Sequence, residues 1–174
     1  MSNAIVSLVV IALMLMAVLT WSQTAFTAYD SVSQSLKQTV QATQETARTD
    51  ITVIQTQGNE SFVRVYVLNS GAVHLAQFAE WDVLVQYYDA SGDYHVDQLT
   101  YTENSIPTAS QWSVFAIYTD ESYSKYEVFE PGILNPGEVM FMMLELAPLP
   151  GAFTTNLVTV STANGVATSA QFNG

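Results

Sequence analysis

Ala4-Ile5-Val6-Ser7-Leu8-Val9-Val10-Ile11-Ala12-Leu13-Met14-Leu15-Met16-Ala17-Val18-Leu19 is a run of sixteen residues broken only by Ser7. Its apolar residues fall on every side of a helix, and a helix apolar all round has to be covered by lipid or by other protein. A bilayer-spanning helix takes about 20 residues. Thr20-Trp21-Ser22-Gln23-Thr24-Ala25-Phe26 can extend the run to that length, with Trp21 or Tyr29 placed at the interface. A secretory signal peptide would open on basic residues and close on a small-residue cleavage site. Neither is found here, and the first Lys is Lys37.

Helical spacing continues beyond the apolar run. Phe26, Tyr29, Val32, Leu36, Val40 and Ala47 recur mostly at three- and four-residue intervals, separated by Ser, Thr, Gln and Asp. No Gly or Pro precedes Gly58. The pattern predicts one helix over about residues 3–47, roughly 65 Å long at about 1.5 Å per residue. Its first half is apolar all round and its second half is amphipathic. Burying about a dozen large side chains at about 1.5–3 kcal/mol each is worth more than the rest of the chain could leave in water. A simple membrane anchor is the plainer reading; a helix that leaves the membrane and packs against its copies is the sharper one.

From Asp50 onward the pattern becomes short β-rich runs punctuated by turns. Strands are expected over 50–57, 61–69, 81–88, 94–102, 112–119, 139–147, 156–162 and 166–172. The turns are Gly58-Asn59-Glu60, Ser70-Gly71, Ala90-Ser91-Gly92-Asp93 and Asn164-Gly165, the last a two-residue hairpin signal. Eight or nine such strands suggest an antiparallel, immunoglobulin-like sandwich in architecture only, because the Cys-Trp-Cys core signature is absent. The organisation is therefore a hydrophobic helix over 1–47 and a β-sandwich head over 48–174, with the junction in 41–48.

The 174 residues carry 16 Asp+Glu against 4 Lys+Arg, a net charge of −12. Such a surface repels nucleic-acid phosphates and anionic headgroups. There is no Cys, hence no disulfide frame and no thiolate metal site. His74 and His95 share no spacing with partners for a zinc site or a catalytic triad, and no Gly-rich phosphate loop is present. The acidic groups Asp89-Asp93-Asp97, Asp120-Glu121 and Glu127-Glu130 admit calcium by ligand type, but without EF-hand spacing they read better as a solvated face. No cofactor and no enzyme activity are expected. Asn59-Glu60-Ser61 is a candidate N-glycosylation triplet on a turn. Glu130-Pro131-Gly132-Ile133-Leu134-Asn135-Pro136-Gly137-Glu138 reads as a double turn feeding a buried strand. Trp81, Trp112 and Tyr118 are read as core aromatics, with surface contact as the other option.

The N-terminal helix resembles that of the type IV pilin superfamily, and its union with a β-sandwich resembles archaellins, the subunits of the archaeal swimming filament. Thr49-Asp50-Ile51-Thr52-Val53-Ile54 and Val63-Arg64-Val65-Tyr66-Val67-Leu68-Asn69-Ser70-Gly71 are similar to the opening strands of archaellin and archaellum-stator domains. The Leu-Asn-Pro-Gly-Glu turn before an apolar strand, and the closing Asn-Gly hairpin, are also similar. The resemblance covers most of the chain. It implies a short basic leader removed by a prepilin-type peptidase, so that Met1 is the mature N-terminus. It also implies a helix resident in the membrane, then extracted by an assembly ATPase into the core of an extracellular archaellum filament, with the heads as its sheath. The partners are then copies of the same chain, with Ile5, Val9, Leu13, Met16, Leu19 and Phe26 in helix–helix contacts and Trp81, Trp112 and Tyr118 as the optional sheath contacts. Bacterial type IV pilins place Glu where this chain has Ile5, which favours the archaellin side. Archaellin helices often carry small residues in mid-run, where this chain has Met14, Leu15, Met16 and Trp21. An adhesive pilin, a non-polymerising archaellum stator component and a minor pseudopilin share the same layout.

Overall fold

The computed structural model describes residues 2–58 and 62–174. Met1 and the candidate acceptor Asn59, with Glu60 and Ser61, lie outside them. The chain forms two compact units, Met1–Gln44 and Glu45–Gly174.

The first unit belongs to a single helix, α1 (Ser2–Arg48). Nothing breaks it, because no Pro removes an amide and no Gly loosens the backbone before its end. At about 1.5 Å per residue its 47 residues reach roughly 70 Å. The helix stops at Thr49, whose N–H and Oγ1 both donate to the Glu45 carbonyl at 2.9 and 2.8 Å. Arg48 stands in the last turn, where the helix dipole favours a cation.

The second unit is built from β1 (Ile51–Gly58), β2 (Val63–Asn69), β3 (Asp82–Tyr88), β4 (Tyr94–Tyr101), β5 (Gln111–Tyr118), β6 (Val139–Glu145), β7 (Thr155–Ser161) and β8 (Ala167–Asn173). Their order is β1-β2-β6-β5-β4-β3-β7-β8. Two antiparallel four-strand layers, β1-β2-β6-β5 and β4-β3-β7-β8, face one another, giving a long helix followed by a β-sandwich head. The layers join through a pairing that departs from the all-antiparallel expectation. β4 and β5 run parallel, over Thr100↔Gln111 and Tyr101↔Trp112 only. The chain crosses between layers through residues 102–110, too long a connection for a tight hairpin, so β5 sets out in the direction of β4.

Period-two alternation places the core between the layers. Val63, Val65 and Val67 of β2, Val83, Val85 and Tyr87 of β3, and Val158 and Val160 of β7 are all buried there. β6 does not alternate: every residue from Val139 to Leu144 is buried. Its outer face carries Phe141 and Met143 in a second cluster, with Tyr66 stacked on Phe141 at 4.8 Å and Tyr123 tilted onto Tyr66 at 5.0 Å. Tyr123 comes from the loop after β5, so that loop roofs the strand.

Asn69 is fully buried and binds two turns at once. Its Nδ2 donates to the carbonyls of Val73 and Leu134 at 2.8 and 2.9 Å, and its Oδ1 accepts from Gly71 N–H at 3.1 Å. The backbone of Asn69 also exchanges hydrogen bonds with Gly137 and Glu138. Gly71 lies so close to the backbone of Arg48 and Asp50 that a Cβ there would collide with both. The Asn164-Gly165 turn differs from the expected two-residue form. Thr162 N–H donates to the Val166 carbonyl at 2.9 Å, leaving Ala163-Asn164-Gly165 as a three-residue loop with Gly165 at φ 83°. Asn164 is drawn inward, its Nδ2 donating to Thr49 Oγ1 at 2.6 Å.

The outermost strands, β1 and β8, meet at the far side of the sandwich. Thr56 Oγ1 donates to the Gln171 carbonyl at 2.7 Å, and a Cβ on Gly58 would overlap the Asn173 carbonyl oxygen.

Asn69→Ala removes three hydrogen bonds; the Leu134 carbonyl and the Gly71 amide keep their bonds to Leu75 and Asp50, and the Val73 carbonyl loses its partner. It is expected to lower unfolding stability by about 1–3 kcal/mol, read from denaturant titration of the detergent-solubilised chain. Gly58→Ala is expected to cost about 1–3 kcal/mol by forcing the β1–β8 seam apart, with increased amide exchange confined to those two strands.

Candidate functional site

The largest feature without a counterpart in its own chain is the surface of α1. Its large apolar side chains between Ile5 and Leu19 are from 46% (Val10) to 71% (Leu8) exposed. This is the one helix among the described residues long and apolar enough to cross a membrane. At about 100° per residue, Ile5, Val9, Leu13, Met16, Leu19 and Phe26 fall within less than half of the circumference. They share one face. The opposite face, with Val6, Val10, Met14 and Val18, is equally apolar and equally exposed, so the geometry does not set those six apart.

Polar residues beside the run satisfy themselves. Ser7 Oγ donates to the Asn3 carbonyl at 2.9 Å, and Thr20, Thr24 and Thr27 each donate to the carbonyl four residues earlier at 2.8–3.0 Å. A hydroxyl bonded back in this way carries no unmet donor into an apolar medium. Each of these carbonyls, already the acceptor of a helix amide, takes the hydroxyl as a second donor.

The aromatic candidates of the head turn inward. Trp112 is fully enclosed, edge-on to Tyr101 at 4.9 Å. Trp81 packs edge-on to Phe78 at 5.4 Å, with Nε1 donating to the Ala76 carbonyl at 3.2 Å. Tyr118 is buried against Tyr123 and Tyr126. Burial first, and its hydrogen bond with Tyr126 second, push the Tyr118 phenol up to about 12. All three are buried within the single chain. The most exposed aromatics of the head are Phe129 and Phe153, both on loops, the latter 98% exposed at φ 65°; Tyr88, Tyr94 and Phe115 face solvent from strands.

The polar candidates do not converge. His95 Nε2 lies 3.1 Å from Asp89 Oδ2, while His74 Nδ1 lies 2.5 Å from Asn135 Oδ1. Asp89 also accepts from the Ser91 and Asp93 amides through Oδ1, at 2.8 and 2.9 Å. The Asp93 amide, then His95, hold its carboxyl below the usual range. Asp97 instead accepts from the Tyr87 hydroxyl at 2.7 Å; burial, then that bond, raises the phenol of Tyr87. Glu127 accepts from the Phe129 and Glu130 amides, which lower its carboxyl. Among the described residues no three His, Cys, Asp or Glu side chains gather as a metal site. The Glu130–Glu138 double turn is held by Glu138, which accepts from Asn135 N–H at 2.7 Å and Asn135 Nδ2 at 3.2 Å; Leu134 is fully buried beneath it.

No protein-family model and no curated protein matches the chain. Solved structures do. One is the archaeal flagellum of Methanospirillum hungatei strain JF1, matched over 95% of this chain and 88% of that one, with a TM-score of 0.55 and 14% identity. Another is the archaellum periplasmic stator protein FlaG from Sulfolobus acidocaldarius, matched over 71% of this chain and 99% of that one, with a TM-score of 0.51 and 18% identity. At such identities the likeness concerns the fold: a β-sandwich head behind a long helix is the architecture this chain shares with archaellum components.

Proposed function

We propose that this chain is the structural subunit of an archaellum-type filament for swimming, assembled through its N-terminal helix and without a catalytic role. The observation that carries the reading is the exposed apolar circumference of α1. A lipid bilayer can cover residues 4–26, and so can a bundle of identical helices. The amphipathic continuation past Phe26 suits the bundle, because Val32, Leu36 and Val40 remain exposed on the segment beyond the span. The likeness to the archaeal flagellum takes in 95% of the chain and thus most of the helix; the likeness to the stator protein takes in 71% of this chain and 99% of that shorter one.

On this reading residues 1–47 line the filament core and residues 48–174 form its sheath. Ile5, Val9, Leu13, Met16, Leu19 and Phe26 belong to the helix–helix contacts. The subunit resides in the membrane through its helix until a prepilin-type peptidase and an assembly ATPase deliver it to the growing extracellular filament. Contacts between identical subunits are heterologous, so the polymer stays open. A non-polymerising stator is the second reading, supported by the same head fold in the FlaG structure.

Electron cryo-microscopy and mass spectrometry of material sheared from cells test the two readings. Filaments composed of this chain are expected; its recovery only from the membrane fraction would favour the stator. Val9→Asp and Leu13→Asp place a carboxylate in the packed core and are expected to abolish filaments. The circular dichroism of the head should stay unchanged, and wild-type filament yield in either variant would reject the core assignment.

A further inference from the structure

Asp30 and Lys37 are the only charged residues among the first 44. They are opposite in sign and both exposed. Seven residues separate them, two helical turns or about 10 Å, so they point to the same side of α1. That separation is too long for the three- or four-residue pairing that joins charges within a helix. Neither has a partner among the described residues, where the one ion pair is His95 with Asp89. Their own helix flanks them at three- and four-residue distance with Phe26, Thr27, Ser33, Gln34, Val40 and Gln41, none of which carries a charge to neutralise them.

On the filament reading, on which this inference rests, the segment is packed among parallel copies that leave the membrane in one orientation. A charge moved out of water without its opposite is strongly unfavourable. Two parallel helices at the same level would set Asp30 beside Asp30 and Lys37 beside Lys37, which repels. A seven-residue offset sets Asp30 of one beside Lys37 of the other. We infer that Asp30 of each subunit pairs with Lys37 of a neighbouring copy offset along the axis by about two helical turns. Each subunit then offers Asp30 to one neighbour and Lys37 to a different one. No charge is left over, and the link repeats without closing. An antiparallel pair would consume both charges within one dimer and stop there.

The absence of native cysteine gives a clean test. The double variant Asp30→Cys with Lys37→Cys, treated in intact filaments with a short thiol-to-thiol crosslinker, should yield a ladder of trimers and higher species on denaturing gels. Either single variant can yield at most dimers. In parallel, Asp30→Lys and Lys37→Asp should each lower filament yield about ten-fold or more, and the two together should restore it. Dimers alone from the double variant, or no crosslink in filaments that do form, would overturn the pairing and leave the filament reading standing. Wild-type yield from the single charge reversals would do the same. If the double cysteine variant fails to assemble, the charge reversals and their combined rescue decide the matter. Failure of the unaltered chain to appear in sheared filaments would remove the filament reading and this pairing with it.

Discussion

Apolar residues wrapped around the whole circumference of a helix have to be kept from water, and the described structure of this chain leaves those from Ile5 to Leu19 bare. At about 1.5–3 kcal/mol per large side chain, this demand exceeds the net stability of an ordinary domain. An isolated soluble monomer is therefore not a resting state for the molecule. Lipid or other protein must supply the cover, and the two media place different conditions on the same residues. Lipid asks that every hydroxyl be internally bonded, which Ser7, Thr20 and Thr24 achieve. Packing against protein asks that charges be matched. Asp30 and Lys37 stand beyond the apolar run, outside the part that lipid must cover.

The head makes the opposite bargain with solvent. It holds its own core between two layers, and a second one on the outer face of β6 under the loop carrying Tyr123. The fully buried Asn69 draws the turn before Val73 and the turn after Leu134 onto the start of the sandwich, using both ends of its amide. Thr49 and Asn164 tie the first residue after the helix to the β7–β8 loop. Unit Glu45–Gly174 thus keeps its stability inside itself.

Much of this was legible in the residues. An uninterrupted helix follows from the lack of Gly and Pro before Gly58, and the strands follow from alternation in Val63–Asn69, Asp82–Tyr88 and Thr155–Ser161. The parallel β4–β5 pairing was not legible, because only two residue pairs form it and local pattern carries no information on which distant strand becomes a neighbour. The residues that cover Tyr118 were hidden for a related reason: Tyr123 and Tyr126 reach it only through the way the loop folds back. The three-residue form of the Asn164-Gly165 turn depends on Thr162 and Thr49, side chains that a two-residue motif does not consider. For the helix surface the limit is different. When every face is apolar, sequence and structure alike state that a partner is needed and leave the facing residues to the assembly.

The seam where Gly58 approaches Asn173 has a consequence for life at high density. Open sheets end in rows of unsatisfied amides and carbonyls that recruit strands from other molecules, the first step toward cross-β aggregation. Here the two terminal strands of the sandwich cover one another, and Gly58 is what lets them come close enough. Heads brought together in great number can then touch through side chains without exchanging strands. Glycine at one position thereby lets the sandwich close off its own edges against strand exchange.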